Sequence, residues 1–198
     1  MPLYGFSERL VALDFETAVS ADHIIEIGCI EIINRKVTRN VFHQLVRPVV
    51  PINSFSRACH GLNEKDLKDQ PYFSEVADSL MAFIGKSPII AHAEYYERNT
   101  LEKELNRLGR RAPHSSRFVC TLKLAREAGQ FRSCGLRSVC RELDILEAGQ
   151  DEYHNALVDA RMAAQLYLLL TRSKPVCQRR PSRTKAKGTP ARKRSRSL

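Results

Sequence analysis

Apolar residues open the chain as short, dense runs. Leu10–Phe15 has the pattern of a buried strand, and Ile24–Ile33 (IIEIGCIEII) is rich in β-branched residues punctuated by Glu26 and Glu31. Asn34, Arg35 and Lys36 predict a turn, and Val37–Val46 alternates enough to pair with the run before it as a hairpin. Three antiparallel strands are therefore expected first. Pro48 and Pro51 end this meander, and a polar stretch with Asn53, His60, Gly61 and Asn63 follows. Phe73, Val76, Ala77, Leu80, Met81 and Ile84 then recur at i, i+3, i+4 spacing, which predicts a helix stopped by Gly85. Pro88–Ala91 reads as a compact strand and Tyr95–Leu108 as the next helix, closing at Gly109. A strand feeding directly into a helix suggests a parallel crossover. Arg117–Cys120 is a weak strand, Leu122–Ala128 and Leu136–Leu143 are short helices, and Asn155–Thr171 carries the strongest helical pattern. The expectation is an α/β domain with a mixed sheet flanked by helices.

At 198 residues and 43% hydrophobic content, the chain suits one domain with a proper core. No apolar run approaches a membrane span, and the first residues lack an export leader, so a soluble, cytoplasmic protein with no membrane partner is expected. Six scattered cysteines without a CxxC pair read as reduced thiols. The net charge of +10 is unevenly placed. Residues 172–198 hold 11 of the 32 basic residues and no acid, leaving 21 basic against 22 acidic residues elsewhere. The expected division is a folded domain over 1–172 and a basic, disordered tail over 173–198. Such a tail is either an arm that neutralises phosphates or a solubilising extension.

Three segments could carry chemistry. Asp14 and Glu16 stand at the expected end of the first strand, where i, i+2 alternation puts both carboxylates on one face about 6.6 Å apart. Glu97 lies in the first turns of the helix after the PIIA strand, and ligand sites in open α/β sheets lie beyond the carboxyl ends of strands. His154 precedes the last helix, with Asp159 near its first turn. An acid in that alanine-rich helix is costly to bury without a metal or a hydrogen-bond partner, and a histidine outside it can exchange protons with water. Taken singly, each segment also has an ordinary structural reading: a polar strand end, an exposed helical Glu, a capped helix.

In this order, D-x-E, the acid after AH, and H-x4-D resemble the motifs of the DnaQ-like, DEDDh family of 3′–5′ exonucleases. The resemblance covers nearly the whole domain. IIEIGCIEIINRKVTRNVFHQLVRP, the HGL at residues 60–62, PYFSEVADSLMAFI and HNALVDARMAAQLYL look like the proofreading ε-subunit branch, whereas the compact loop after LDFET and VCTLKLAR look closer to exonuclease X. It implies an RNase H-like fold with a mixed five-stranded sheet and two Mg²⁺ or Mn²⁺ ions. It also implies that Asp14, Glu16 and Asp159 hold metal, that Glu97 completes the acidic set, and that His154 takes a proton from the attacking water. Phe15 (through its backbone), Thr17, His60, Leu62 and Tyr96 would hold the 3′-terminal nucleotide. Two departures stand in the second motif, where Ala93 replaces the family's Asn and Glu97 its Asp, implying slower or Mn²⁺-preferring activity. The activity so implied is on single-stranded or frayed DNA ends. The alternatives are an RNA 3′–5′ exonuclease, or a weakly active nucleic-acid-binding module tethered to a polymerase. The tail resembles no clamp- or polymerase-binding segment, which favours a stand-alone nuclease.

Overall fold

The computed structural model describes residues 9–145 and 153–172, so the basic tail lies outside the described residues. β1 (Arg9–Val19), β2 (Asp22–Ile33) and β3 (Lys36–Leu45) form the expected antiparallel meander. β4 (Ile89–Ala91) and β5 (Phe118–Cys120) add parallel strands on the other side, giving the order β3-β2-β1-β4-β5. The helices are α1 (Ser54–His60), α2 (Glu64–Leu67), α3 (Phe73–Ile84), α4 (Tyr95–Arg107), α5 (Thr121–Ala128), α6 (Leu136–Glu142) and α7 (Ala156–Leu170). No helix among the described residues is long and apolar enough to cross a membrane.

Alternation along β1 divides the core into two faces. Val11, Leu13 and Phe15 pack with Ile27, Cys29 and Ile89 against α3 and α4. Leu10 and Ala12 pack with Ile30, Ile32 and Ile90 against Ala160, Ala164 and Tyr167 of α7. Helices on both faces explain why β2 is apolar almost throughout.

Two expectations need correction. The first strand does not end at Phe15: β1 and β2 stay paired to Val19 and Asp22, with a register shift between Glu16 and Thr17. Asp14 and Glu16 are therefore mid-strand residues. They still reach a cleft, because β4 pairs with β1 only at Val11 and Ala12 and ends at Ala91, so β1 runs past the carboxyl end of β4. The polar stretch after Pro51 is also partly helical. Its helices start on asparagine caps, Asn53 accepting from Ser56 N and Asn63 from Lys65 N, and Ile52 and Leu67 bury beneath them with Ala18 and Ile25.

On the α7 face, Asp14 lies opposite Gly28 and Glu16 opposite Glu26. A Cβ on Gly28 would sit 2.2 Å from the carbonyl carbon and oxygen of Ala156. Only glycine lets the first turn of α7 lie against the sheet there.

Candidate active site

The three expected segments converge at the carboxyl end of β4. A cleft of about 380 Å³ is lined by Asp14, Phe15, Glu16, His92, Glu97, Arg137, His154 and Asp159, together with Gly135, Leu136 and Ser138. Glu16, His154 and Asp159 each bring one ligand-type atom within 4.8 Å of the others. A second cleft of about 220 Å³ shares Phe15, Glu16, Glu97 and His154, and is otherwise lined by Thr17, Phe55, Cys59, His60, Tyr96 and Thr100, among others.

The start of α7 is tied down from several sides. Asn155 caps the helix by accepting from Val158 N at 3.1 Å. Glu26, buried in β2, accepts from Asn155 Nδ2 at 2.7 Å and from Ala156 N at 3.2 Å, and also meets His43 Nε2 at 2.7 Å. His154 N donates to the Cys59 carbonyl at 2.9 Å, so α1 helps to place the histidine. Gly61, at φ 74°, ends α1 in the left-handed region and leaves room for the Tyr153 ring, which its Cβ would meet at 3.0 Å. At the site itself, His154 Nδ1 lies 3.1 Å from Asp159 Oδ2, and Arg137 Nη2 donates to Asp159 Oδ1 at 3.0 Å.

Crowding acids here has an electrostatic consequence. Burial, reinforced by Glu97, Asp159 and Glu16, holds the Asp14 carboxyl well above the usual range. Burial, then Asp159, pushes Glu16 up to about 8. Burial also carries Glu97 to about 8, with Glu94 and Asp159 adding to it. His154 is raised by its bond to Asp159, whereas burial lowers His92 to about 4.

These residues fit a divalent cation. Hard carboxylate oxygens of Asp14, Glu16, Glu97 and Asp159 line one cleft, and among the described residues Glu97 Oε2 is buried with no hydrogen-bond partner. A cation would satisfy that oxygen and relieve the mutual repulsion of the carboxylates. Another cluster, Asp22, His23 and Glu104, differs in being already neutralised by Arg107 and Lys103.

Asp14, Glu16, Glu97, His154 and Asp159 are thus all brought together. Phe15, Thr17, His60 and Tyr96 line the second cleft, Tyr96 with an exposed ring. Leu62 lines neither cleft and packs against Ala18, Ile25, Ile52 and Leu67. Ala93 adopts φ 57°, a left-handed conformation that Asn tolerates better than Ala, a local reason for the family's preference at this turn. Sequence reasoning missed Phe55, His92, Glu26 and Arg137. Glu26, a charge interrupting the apolar run of β2, was the available signal, whereas Arg137 stands at an ordinary polar position of the α6 pattern.

Residues 11–167 match the exonuclease (RNase_T) family. The DNA polymerase III subunit epsilon of Buchnera aphidicola subsp. Acyrthosiphon pisum is 33% identical, over 83% of this chain and 73% of its own length. The Escherichia coli epsilon subunit is 30% identical, over 82% and 71%. Among solved structures, exonuclease X in complex with 5′-overhanging duplex DNA superposes with a TM-score of 0.65 at 24% identity, covering 84% of this chain and 92% of that one. The nuclease domain of 3′hExo, a DEDDh family member bound to rAMP, does so at 0.69 and 15%, covering 86% and 94%. With its RNase H-like sheet and gathered carboxylates, the chain belongs to the exonuclease family of DnaQ type, the 3′–5′ exonucleases that hydrolyse phosphodiesters with divalent metal ions.

Proposed function

We propose that this protein is a stand-alone nuclease that removes nucleotides from single-stranded or frayed DNA 3′ ends, in degradation, repair or end trimming. The observation that carries this reading is the paired cleft: carboxylates and His154 on one side, and a pocket with Phe15, Phe55 and Tyr96 on the other. Aromatic faces grip an unpaired base without reading its sequence. The DNA in the exonuclease X structure and the polymerase names of the curated relatives favour DNA. A neighbour described as recognising a histone mRNA stem-loop keeps RNA as the second reading.

Asp14, Glu16 and Asp159 would hold two Mg²⁺ or Mn²⁺ ions, with Glu97 completing the set. The ions would stabilise charge on the attacking and leaving oxygens of an in-line displacement. His154 accepts the water's proton at Nε2, the ring nitrogen that its contact with Asp159 leaves available. The water oxygen bonds to phosphorus, the bond to the 3′ oxygen of the penultimate nucleotide breaks, and a nucleoside 5′-monophosphate leaves. Thr17 and His60 line the pocket that would take the terminal nucleotide, Tyr96 supplies an apolar wall, and Phe15, whose ring packs in the core, would contribute its backbone.

The test is degradation of 5′-labelled DNA and RNA of one sequence with Mg²⁺, Mn²⁺ or EDTA. The expected result is a ladder shrinking from the 3′ end, faster on DNA and absent in EDTA. A faster RNA ladder selects the second reading, and no ladder in either metal rejects the nuclease. For residues 173–198 the proposal is a phosphate-neutralising arm. Deleting 175–198 should flatten the salt dependence of single-stranded DNA binding, and an unchanged slope removes the arm.

A further inference from the structure

We propose that Arg137 is a positioning residue that assigns the two oxygens of Asp159 to different tasks. The inference rests on the nuclease reading above. Arg137 Nη2 donates to Asp159 Oδ1 at 3.0 Å and to the Tyr153 carbonyl at 3.0 Å, so one guanidinium grips both ends of the H-x4-D segment. The pair is well shielded, with side chains 14% and 4% exposed. Arg137 is itself anchored, because Val139 and Cys140 of α6 pack against Ala125 of α5 and Met162 and Leu166 of α7.

A carboxylate flips readily about its last torsion, since that torsion is broad and twofold. With Oδ1 held by Arg137, Oδ2 becomes the oxygen that faces His154 Nδ1 at 3.1 Å, in a residue that has a carboxylate oxygen within 4.8 Å of ligand atoms of Glu16 and His154. Asp159 is thereby pre-set to present a single oxygen to a cation. The Tyr153 bond holds the backbone just before His154, whose ring is half exposed, beside the cleft. A lysine could supply the charge, but its single ammonium cannot match the planar guanidinium reaching a carboxylate and a carbonyl together.

The alternative role, charge alone, predicts the opposite metal behaviour. A cation beside the site weakens binding of a second cation, so removing a purely electrostatic Arg137 tightens divalent binding. Removing a positioning residue weakens it, by about 10- to 100-fold where partners that orient a metal ligand are lost. The experiment is calorimetric titration of Mn²⁺ into the full chain and into Arg137→Gln and Arg137→Lys, with melting in EDTA to confirm folding. For Arg137→Gln the expected result is a Kd at least about 10-fold higher, with Arg137→Lys intermediate. On oligonucleotides, kcat should fall with KM unchanged. Mn²⁺ binding by Arg137→Gln as tight as in the parent, or tighter, overturns the proposal. A raised KM with unchanged Mn²⁺ affinity also overturns it, assigning Arg137 to the substrate phosphate. If the parent degrades no 3′ end, the nuclease reading fails, which is a different outcome.

Discussion

Asp14→Asn is expected to lower kcat/KM by about 10³-fold or more, and to melt at a higher temperature than the parent chain in EDTA. Loss of a carboxylate that would help to hold the metal ions would remove several kcal/mol of transition-state stabilisation, and each 1.36 kcal/mol is worth tenfold in rate. The gain in stability has the opposite origin. Asp14 is crowded by Glu97, Asp159, Glu16 and Glu26 in a buried setting that already raises its carboxyl well above the normal range. An amide of the same shape removes one member of the repulsive set. The pH dependence follows from the same shifts. Glu16 and Glu97 titrate near 4.5 when unfolded and near 8 when folded, so the folded state holds more protons between those values. Stability is fully present below about 4.5 and falls as pH rises toward 8. His154, also raised, acts in the same sense, while His92, lowered to about 4, acts against it in both proteins. The parent in EDTA should lose more melting temperature between pH 5 and pH 8 than Asp14→Asn does. Added Mg²⁺ or Mn²⁺ should restore the parent far more than the variant, since binding to the folded state alone stabilises by mass action. Activity within tenfold of the parent, or an equal pH loss in both, would sink the argument.

Gly28→Ala is expected to damage both stability and activity through one added methyl group. The new Cβ would stand 2.2 Å from Ala156 backbone atoms, and backbone cannot turn aside as a flexible side chain can. Either β2 or the start of α7 must shift. Overpacking typically costs about 1–3 kcal/mol, and in a domain of this size that lowers the melting temperature by about 2–12 °C. The catalytic effect should be larger. His154 lies two residues before the contact and Asp159 three after it, and misplacement by about 1 Å can cost about 10²-fold. Gly135→Ala is the control for stability alone, because Gly135 lines the carboxylate cleft but its Cβ would meet only the hydroxyls of Ser133 and Ser138 at 3.8 and 3.9 Å. A Gly28→Ala protein melting within 1 °C or so of the parent and keeping its activity would show that α7 yields without consequence.

Elements with a strong local period were legible in the chain itself. β2, α3, α4 and α7 lie within a few residues of their expected limits, because each carries its own pattern of apolar positions. β1 was cut short at Phe15 because Glu16, Thr17 and Ser20 look like a strand emerging into solvent. Its continuation depends on pairing with β2 and on burial of Ala18 beneath Ile52 and Leu67. α1 and α2 escaped notice because seven and four residues offer too little periodicity, and both rely on asparagine caps and a shared apolar cluster.

The acids and the histidine were visible as an order of residue types along the chain, since residue type and spacing are written in the sequence. Their meeting was a matter of topology: the short β4 leaves β1 open beyond Ala12, and Gly28 admits the start of α7. The partners that orient them belong to tertiary structure alone. Glu26 reaches Asn155 across 129 positions, and Arg137 reaches Asp159 across 22. No local period records such pairs, because a buried charge is settled by whichever partner folding brings within about 3 Å, and that neighbour exists only once the chain has folded.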